Sequence, residues 1–246
     1  MIHVDYDAIV VGSGASGGVA ARRLCENGQR VLLVERGRAA RFPEDFDDRN
    51  QAVRGEKSPA PRHPTQSKHW LFDDESRHLF IDDEEHPYEA PSPFHWYRSQ
   101  VLGGRTLLWG RTCFRMSNHE FKKFSLTGRG EDWPLAYEDL SPYYSLVEGW
   151  AGIQASRDAH PGVPDGGVGP VPAMDPLGDW VGARIKRRWS EQDFIYARKA
   201  KGEAKRAEPG SLTNFPVHTS LGFGVAPAIA TGRLTIETDA EVSKLI

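Results

Sequence analysis

The chain has 246 residues with a formal net charge of −3, and 39% of its residues are hydrophobic. This length accommodates one large domain or two small ones, and the small net charge does not favour a nucleic-acid or membrane-surface partner. The two cysteines, Cys25 and Cys113, cannot form a disulfide framework and suit a reducing compartment. No signal peptide or membrane-spanning run is recognised, so we expect a cytoplasmic location without a membrane segment.

The first segment combines an apolar strand, a glycine turn and a helix. Residues 8–11 are uniformly apolar, as expected for a parallel strand covered on both faces. In the G-x-G-x-x-G motif that follows, Gly12 permits a tight turn, Gly14 lets the backbone approach a pyrophosphate, and Gly17 lets the helix pack closely. Because the N–H groups and dipole of a helix N-terminus favour negative charge, the motif predicts a phosphate site.

A second apolar run, residues 31–34, leads directly to Glu35. At the end of such a strand, a carboxylate accepts hydrogen bonds from ribose hydroxyls, and its charge disfavours the additional phosphate of NADP. The pattern predicts a βαβ unit that binds a dinucleotide.

After Glu35 the regular pattern stops until about Phe94. We expect a loop-rich excursion that covers the nucleotide, with short strands between Trp70 and Ile81. Acidic clusters and scattered histidines in this stretch lack the spacing of metal ligands, so no metal site is predicted. These residues are 73–75, 82–85, His63, His69, His78 and His86.

Regular structure is expected again over residues 97–112. Within this segment, Gly103 and Gly104 indicate a second close approach of backbone to ligand, followed by a buried helix or strand. Ser141-Pro142 predicts a helix start, with Tyr143, Val147 and Trp150 on its core face. The charged stretches 186–188 and 198–206 are interpreted as solvated helical faces. Strands are expected over 233–238 and 241–246.

Four segments together resemble the glucose–methanol–choline (GMC) FAD oxidoreductases: residues 12–35, 102–110, 131–134 and 232–236. The version of the second segment that contains Trp109 is most similar to the bacterial sugar and polyol dehydrogenase branch. The resemblance covers the N-terminal half of a typical member. It implies an α/β, Rossmann-like FAD-binding fold of the three-layer ββα type with long loop insertions, and we interpret the domain as incomplete.

The resemblance also implies a division of the chain and a set of cofactor contacts. The expected segments are a nucleotide-binding βαβ unit (1–40), a loop-rich excursion or lid (41–94), a flavin loop with a helical segment (95–160), an irregular segment that starts a substrate domain (161–228) and strands returning to the FAD domain (229–246). The implied cofactor-binding residues are Gly12, Ser13, Gly14, Ser16, Gly17, Glu35, Gly103, Gly104, Arg105, Trp109, Gly110, Thr112 and Val242.

Some of these roles have open alternatives. Trp109 could belong to the core, and Val242 could pack as a strand residue instead of meeting adenine. Where some relatives tether the flavin through histidine, this chain has Leu108, so FAD is expected to bind non-covalently.

The sequence does not identify the catalytic base. Family members use a histidine near the C-terminus, with a second histidine or an asparagine, to take the hydroxyl proton as hydride leaves carbon for flavin N5. This chain ends at Ile246 before such a segment, so we expect an N-terminal fragment without turnover of its own. His95 and His218 are the remaining candidates for contact with substrate.

The resemblance therefore predicts oxidation of a small alcohol, sugar or polyol by FAD. It does not identify the electron acceptor among oxygen, a quinone and a cytochrome. Two alternatives stay open. One is an inactive nucleotide-binding remnant, and the other is an NAD-dependent dehydrogenase that shares the same fingerprint.

Overall fold

The computed structural model describes residues 5–41, 65–72, 76–155, 160, 162–166, 169, 174–200 and 217–245. The predictions for His63, for the acidic cluster 73–75 and for 201–206 lie outside the described residues. The chain divides into two compact units, Met1–Trp109 with Glu203–Ile246, and Gly110–Gly202.

The elements of the described residues are five strands and six α-helices. The strands are β1 (Ala8–Val11), β2 (Val31–Val34), β3 (Ile153–Gln154), β4 (Lys199–Ala200) and β5 (Leu234–Glu237). The helices are α1 (Ala15–Glu26), α2 (Asn118–Phe121), α3 (Lys123–Thr127), α4 (Tyr137–Ala151), α5 (Pro176–Arg188) and α6 (Ala226–Ala230). No helix in these described ranges has the length and apolar composition that a membrane span requires.

The first unit is built on a parallel sheet with the strand order β1-β2-β5. Ala8 lies opposite Val31, and Val31 lies opposite Leu234. Helix α1 is the crossover between β1 and β2, as the sequence predicts. Strand β2 is the central strand, and its Val31 and Leu33 are buried, as the apolar run predicts. The prediction that β1 is covered on both faces is wrong for the described residues, because β1 lies at the edge of the sheet with Ile9 63% and Val11 54% exposed.

One face of this sheet packs against α1 and the segment 221–228. The buried cluster contains Val10, Val31 and Leu33 from the strands, Ala21 and Cys25 from α1, and Leu221, Val225 and Ala228. A Cβ at Gly17 would overlap the carbonyl oxygen of Gly12, and a Cβ at Gly224 would overlap the backbone of Gly18. Glycine is therefore required for α1 to approach both the turn after β1 and the π-helical turn Leu221–Val225.

The structure corrects two strand predictions. Between Gln66 and Ile81 the described residues form the 3-10 turns Gln66–Lys68 and Arg77–Leu79 instead of strands. Strand β5 is confirmed, but residues 241–245 carry no strand. The chain leaves the sheet at Asp239, which has a φ of 55°, and this left-handed conformation ends the extended run.

The helix predicted to start at Ser141-Pro142 begins earlier, at Tyr137, and Pro142 lies inside it. Its first turn is held by side chains: the Ala136 N–H donates to Asp139 Oδ2 at 2.8 Å, and the Tyr137 N–H donates to Asn118 Oδ1 at 2.8 Å. The predicted core face is wrong for Tyr143, which is 64% exposed, whereas Val147 and Trp150 are half-buried. The buried residues of α4 are Glu148 and Ala151.

The second unit has a charged centre. Glu148 is buried between two guanidinium groups: Arg115 donates to it at 2.9 and 2.6 Å, and Arg198 donates to its Oε1. Arg115 also donates to Tyr137 Oη at 2.8 Å. The prediction that Arg198 lies on a solvated face is wrong, since it is only 2% exposed, whereas residues 186–188 of α5 are exposed as predicted.

Candidate dinucleotide site

The carboxyl ends of β1, β2 and β5 meet at one edge of the sheet. The Glu35 N–H donates to the Glu237 carbonyl at 2.8 Å, and the Ala240 N–H donates to the Glu35 carbonyl at 3.0 Å. The turn that starts at Gly12 lies at the same edge, where its N–H donates to the Val34 carbonyl at 2.8 Å. Ligands of open parallel sheets bind at this edge.

Helix α1 presents its N-terminus at this edge. Its N-cap residue is Gly14, and within the described residues no side chain caps the first turn. Gly12 has a φ of 88°, and no described atom lies within 4 Å of the position that a Gly14 Cβ would occupy. Ser16 is exposed in the first turn. The uncapped N–H groups and the open space beside Gly14 suit an anion.

The carboxylate of Glu35 is buried and oriented by backbone groups. Its Oε2 accepts hydrogen bonds from the Ser13 N–H at 2.9 Å and from Ser13 Oγ, and its Oε1 accepts one from the Gly37 N–H at 2.7 Å. A carboxylate can accept about four hydrogen bonds. Oε1 therefore retains the capacity that a ribose hydroxyl requires.

Ser13 joins the first glycine turn to the second. It is fully buried, and its Oγ accepts a hydrogen bond from the Gly103 N–H at 2.8 Å while it donates to Glu35. Its side chain thus orients neighbouring protein groups, and direct contact of Ser13 with a cofactor stays a prediction.

The second glycine loop lies against the first. Gly103 and Gly104 have φ values of 100° and 56°, and they lead into the 3-10 turn Gly104–Leu107. A Cβ at Gly104 would come within 3.3 Å of the Gly14 Cα. The structure therefore brings together two glycine segments that are far apart in the sequence.

The residues that follow this loop have different environments. Arg105 is exposed, and Leu108 is buried in an apolar cluster with Leu79 and Val101. Trp109 is half-buried, and its Nε1 donates to the His218 carbonyl at 3.2 Å.

The remaining predicted contacts are Gly110, Thr112 and Val242. Gly110 and Thr112 belong to the second unit. Val242 is 37% exposed in the irregular segment after β5. Their contact with a cofactor remains a prediction.

The two candidate histidines lie in unlike environments. His218 is buried, at 5% exposure. His95 is exposed, with its Nε2 lying 3.2 Å from Lys68 Nζ. Across the described ranges, no group of three His, Cys, Asp or Glu side chains is arranged to hold a metal ion.

The sequence patterns do not distinguish His69 from the other loop histidines. Burial, together with the positive charge of Arg105, lowers the pKa of His69 below its ordinary value. Its Nδ1 accepts a hydrogen bond from the Leu71 N–H at 3.2 Å. The centroid of its ring lies 4.7 Å from the centroid of the Tyr97 ring. No motif marks this histidine, because its ring contacts with Phe80 and Tyr97 are to residues distant from it in the sequence.

Comparison with known proteins supports the nucleotide-binding assignment. A family model described as an NAD(P)-binding Rossmann-like domain matches residues 10–41. The fructose dehydrogenase large subunit of Gluconobacter japonicus is 25% identical over 180 residues, covering 68% of this chain and 31% of that protein. An oxygen-dependent choline dehydrogenase of Xanthomonas axonopodis pv. citri is 30% identical over 178 residues, covering 71% of this chain and 27% of that protein. Among solved structures, pyridoxine 4-oxidase from Mesorbium loti has a TM-score of 0.50 at 16% identity, covering 96% of this chain and 42% of that chain.

The fold and the matches define an α/β protein with a Rossmann-like nucleotide-binding domain, which confirms the predicted fold class. The predicted family is confirmed as well: the chain belongs with the N-terminal portion of the GMC oxidoreductases, an FAD-dependent family. The matched part of the chain covers 31% and 27% of the length of these two curated relatives.

Proposed function

We propose that this chain binds FAD through the ADP half of the cofactor and forms the nucleotide-binding part of an oxidoreductase acting on CH–OH groups. The observation that carries the proposal is the pairing of an uncapped α1 N-terminus with the buried Glu35 carboxylate at one sheet edge. The first group suits a pyrophosphate, and the second suits the ribose hydroxyls.

The residues present fit this cofactor. The N–H groups of the first turn of α1 would hold the pyrophosphate, with the Ser16 hydroxyl beside them, and Glu35 would hold the ribose. Gly103 and Gly104 would allow the flavin half to pass close to the backbone. Binding would be non-covalent, because the position that could carry a tether is Leu108, whose buried side chain has no nucleophilic atom.

FAD, when bound, supplies the hydride acceptor for oxidation of a CH–OH group. The described residues bind and orient the cofactor, and none of them is assigned as the base that takes the hydroxyl proton. The substrate class that we propose is a small alcohol, sugar or polyol, in keeping with the names of the fructose and choline dehydrogenases that this chain resembles.

The first experiment decides between FAD and NAD. Purified full-length chain is incubated with FAD or NAD, separated from free ligand by gel filtration, and examined by absorbance before and after denaturation. We expect flavin to co-elute with the protein and to be released by denaturant. Retention of NAD without FAD would instead support an NAD-dependent dehydrogenase. Retention of neither cofactor would support an inactive nucleotide-binding remnant.

A substitution tests whether Glu35 has the proposed role. Glu35→Gln keeps the shape of the side chain but cannot accept from both the Ser13 and the Gly37 N–H groups while facing a ribose. We expect FAD to bind at least about tenfold more weakly, the effect of losing one charge-assisted hydrogen bond. Glu237→Gln is the matched control, because it removes an exposed charge at the same edge. Equal affinities of the two variants in fluorescence titrations would contradict the assignment.

A further inference from the structure

Ser220 is a fully buried serine that no sequence motif singles out. It immediately precedes the π-helical turn Leu221–Val225 in the first unit. Its Oγ lies within hydrogen-bonding distance of two backbone carbonyls, 2.7 Å from that of Ser13 and 2.9 Å from that of Gly14. Both carbonyls belong to the glycine turn that leads into α1.

The same serine is linked to the second glycine loop. Its N–H donates to Thr106 Oγ1 at 2.9 Å, and the Thr106 hydroxyl donates to the Gly103 carbonyl at 2.6 Å. Ser220 thus contacts one glycine loop with its side chain and the other through Thr106. The position is tightly packed, because a Cβ at Gly18 would overlap the Ser220 hydroxyl.

The hydrogen-bonding contacts of Ser220 Oγ determine the direction of two backbone N–H groups at the start of α1. In a trans peptide unit the carbonyl and the following N–H lie in one plane and point in opposite directions. A bond to the Ser13 carbonyl therefore orients the Gly14 N–H, and a bond to the Gly14 carbonyl orients the Ala15 N–H. These two N–H groups belong to the uncapped start of α1.

We propose that Ser220 is a positioning residue for the dinucleotide site. Its single hydroxyl proton, shared between the Ser13 and Gly14 carbonyls, holds the peptide units 13–14 and 14–15 with their N–H groups directed at the pyrophosphate. Thr106 couples this turn to the second glycine loop. The inference rests on the proposed function for the identity of the anion. It goes beyond that function in assigning the orientation of the site to a fully buried residue behind the glycine turn.

The first test needs no ligand. Amide hydrogen exchange is measured on the full-length chain as wild type, as Ser220→Ala and as Thr231→Val. The last variant is the control, because Thr231 Oγ1 donates to the Ala228 carbonyl at 2.6 Å in the same unit without contacting either glycine loop. We expect peptides covering residues 12–18 and 103–107 to exchange at least about tenfold faster in Ser220→Ala only, the effect of losing one buried hydrogen bond.

The second test separates positioning from a general loss of stability. ADP, adenosine and FAD are titrated against the three proteins by calorimetry. We expect Ser220→Ala to bind ADP and FAD about tenfold more weakly and adenosine unchanged, because only the pyrophosphate contacts are lost. If Thr231→Val lowers the melting temperature as much as Ser220→Ala does but leaves the ADP affinity unchanged, then lower stability does not explain the weaker ADP binding of Ser220→Ala.

The results distinguish failure of this inference from failure of the proposed function. Unchanged loop exchange, unchanged ADP affinity, or equal losses for ADP and adenosine in Ser220→Ala would overturn the inference. If the wild-type chain binds neither ADP nor FAD, the proposed function fails, and the exchange rates alone decide whether Ser220 holds the two loops.

Discussion

Individual side chains in the candidate site are oriented mainly by backbone groups. Glu35 is held by the N–H groups of Ser13 and Gly37, and Ser13 is held in turn by the Gly103 N–H. Backbone donors do not change rotamer, so the carboxylate has little freedom to turn away from a ligand. A preorganised carboxylate loses less conformational entropy when it binds a ribose.

At the residue scale, the first prediction concerns His69. Because its pKa is lowered in the folded state, the unfolded chain binds more protons as the pH falls through the ordinary value near 6.5. We therefore expect the free energy of unfolding to decrease as the pH falls through this value towards the lower folded pKa. His69→Phe keeps an aromatic ring and should flatten this dependence in urea titrations at several pH values. Parallel curves for the two proteins would contradict the prediction.

At the scale of elements, the close packing of α1 organises the first unit. Glycines on α1 and on the π-helical turn Leu221–Val225 let two backbones approach without intervening side chains. This approach is what places Ser220 within reach of the Ser13 and Gly14 carbonyls. The packing of α1 against the π-helical turn thus determines the geometry of the glycine turn that precedes α1.

Two glycine-to-alanine substitutions in helices should have opposite effects. Gly17→Ala places a Cβ against the Gly12 carbonyl oxygen, and we expect it to destabilise the protein by about 1–3 kcal/mol, as overpacking does. In Gly149→Ala, no described atom lies within 4 Å of the new Cβ, so the gain in helix propensity should stabilise by about 0.5–1 kcal/mol. Urea unfolding measures both free energies. Similar changes in the two variants would show that backbone contact at Gly17 is unimportant.

On the scale of the whole molecule, the two units are stabilised by different interactions. The first has an apolar core between the sheet and its helices. The second has a buried Arg115–Glu148–Arg198 group, in which one carboxylate neutralises two guanidinium charges incompletely. Removing one member of a buried ionic group leaves an uncompensated charge in a medium of low polarity.

Glu148→Gln should therefore destabilise the second unit strongly, by about 3–5 kcal/mol. Glu138→Gln is the control on the same helix, since Glu138 is exposed, and we expect it to have little effect. Unfolding is followed by tryptophan fluorescence, and ADP binding reports separately on the first unit. A loss in Glu148→Gln no greater than in the control would contradict the role assigned to the charged centre.

The βαβ unit and most of the site were predictable from local sequence. Gly12, Gly14 and Gly17 stand at fixed spacings between two apolar runs, and Glu35 follows the second run directly. Each of these features acts over a few residues, so its physical consequence can be read without knowing the remainder of the fold. The N-terminus of α4 was predicted less well, because a side chain from α2 caps its first turn.

What only the tertiary structure decided are the interactions between residues far apart in sequence. Ser220 bonds to the Ser13 carbonyl across 207 positions, and Arg198 reaches Glu148 across 50. A serine or an arginine has the same local pattern whether it is solvated or buried, since its environment is supplied by other elements. The sequence by itself therefore determined the βαβ unit with its glycine turn, whereas long-range packing decided which buried groups contact that turn.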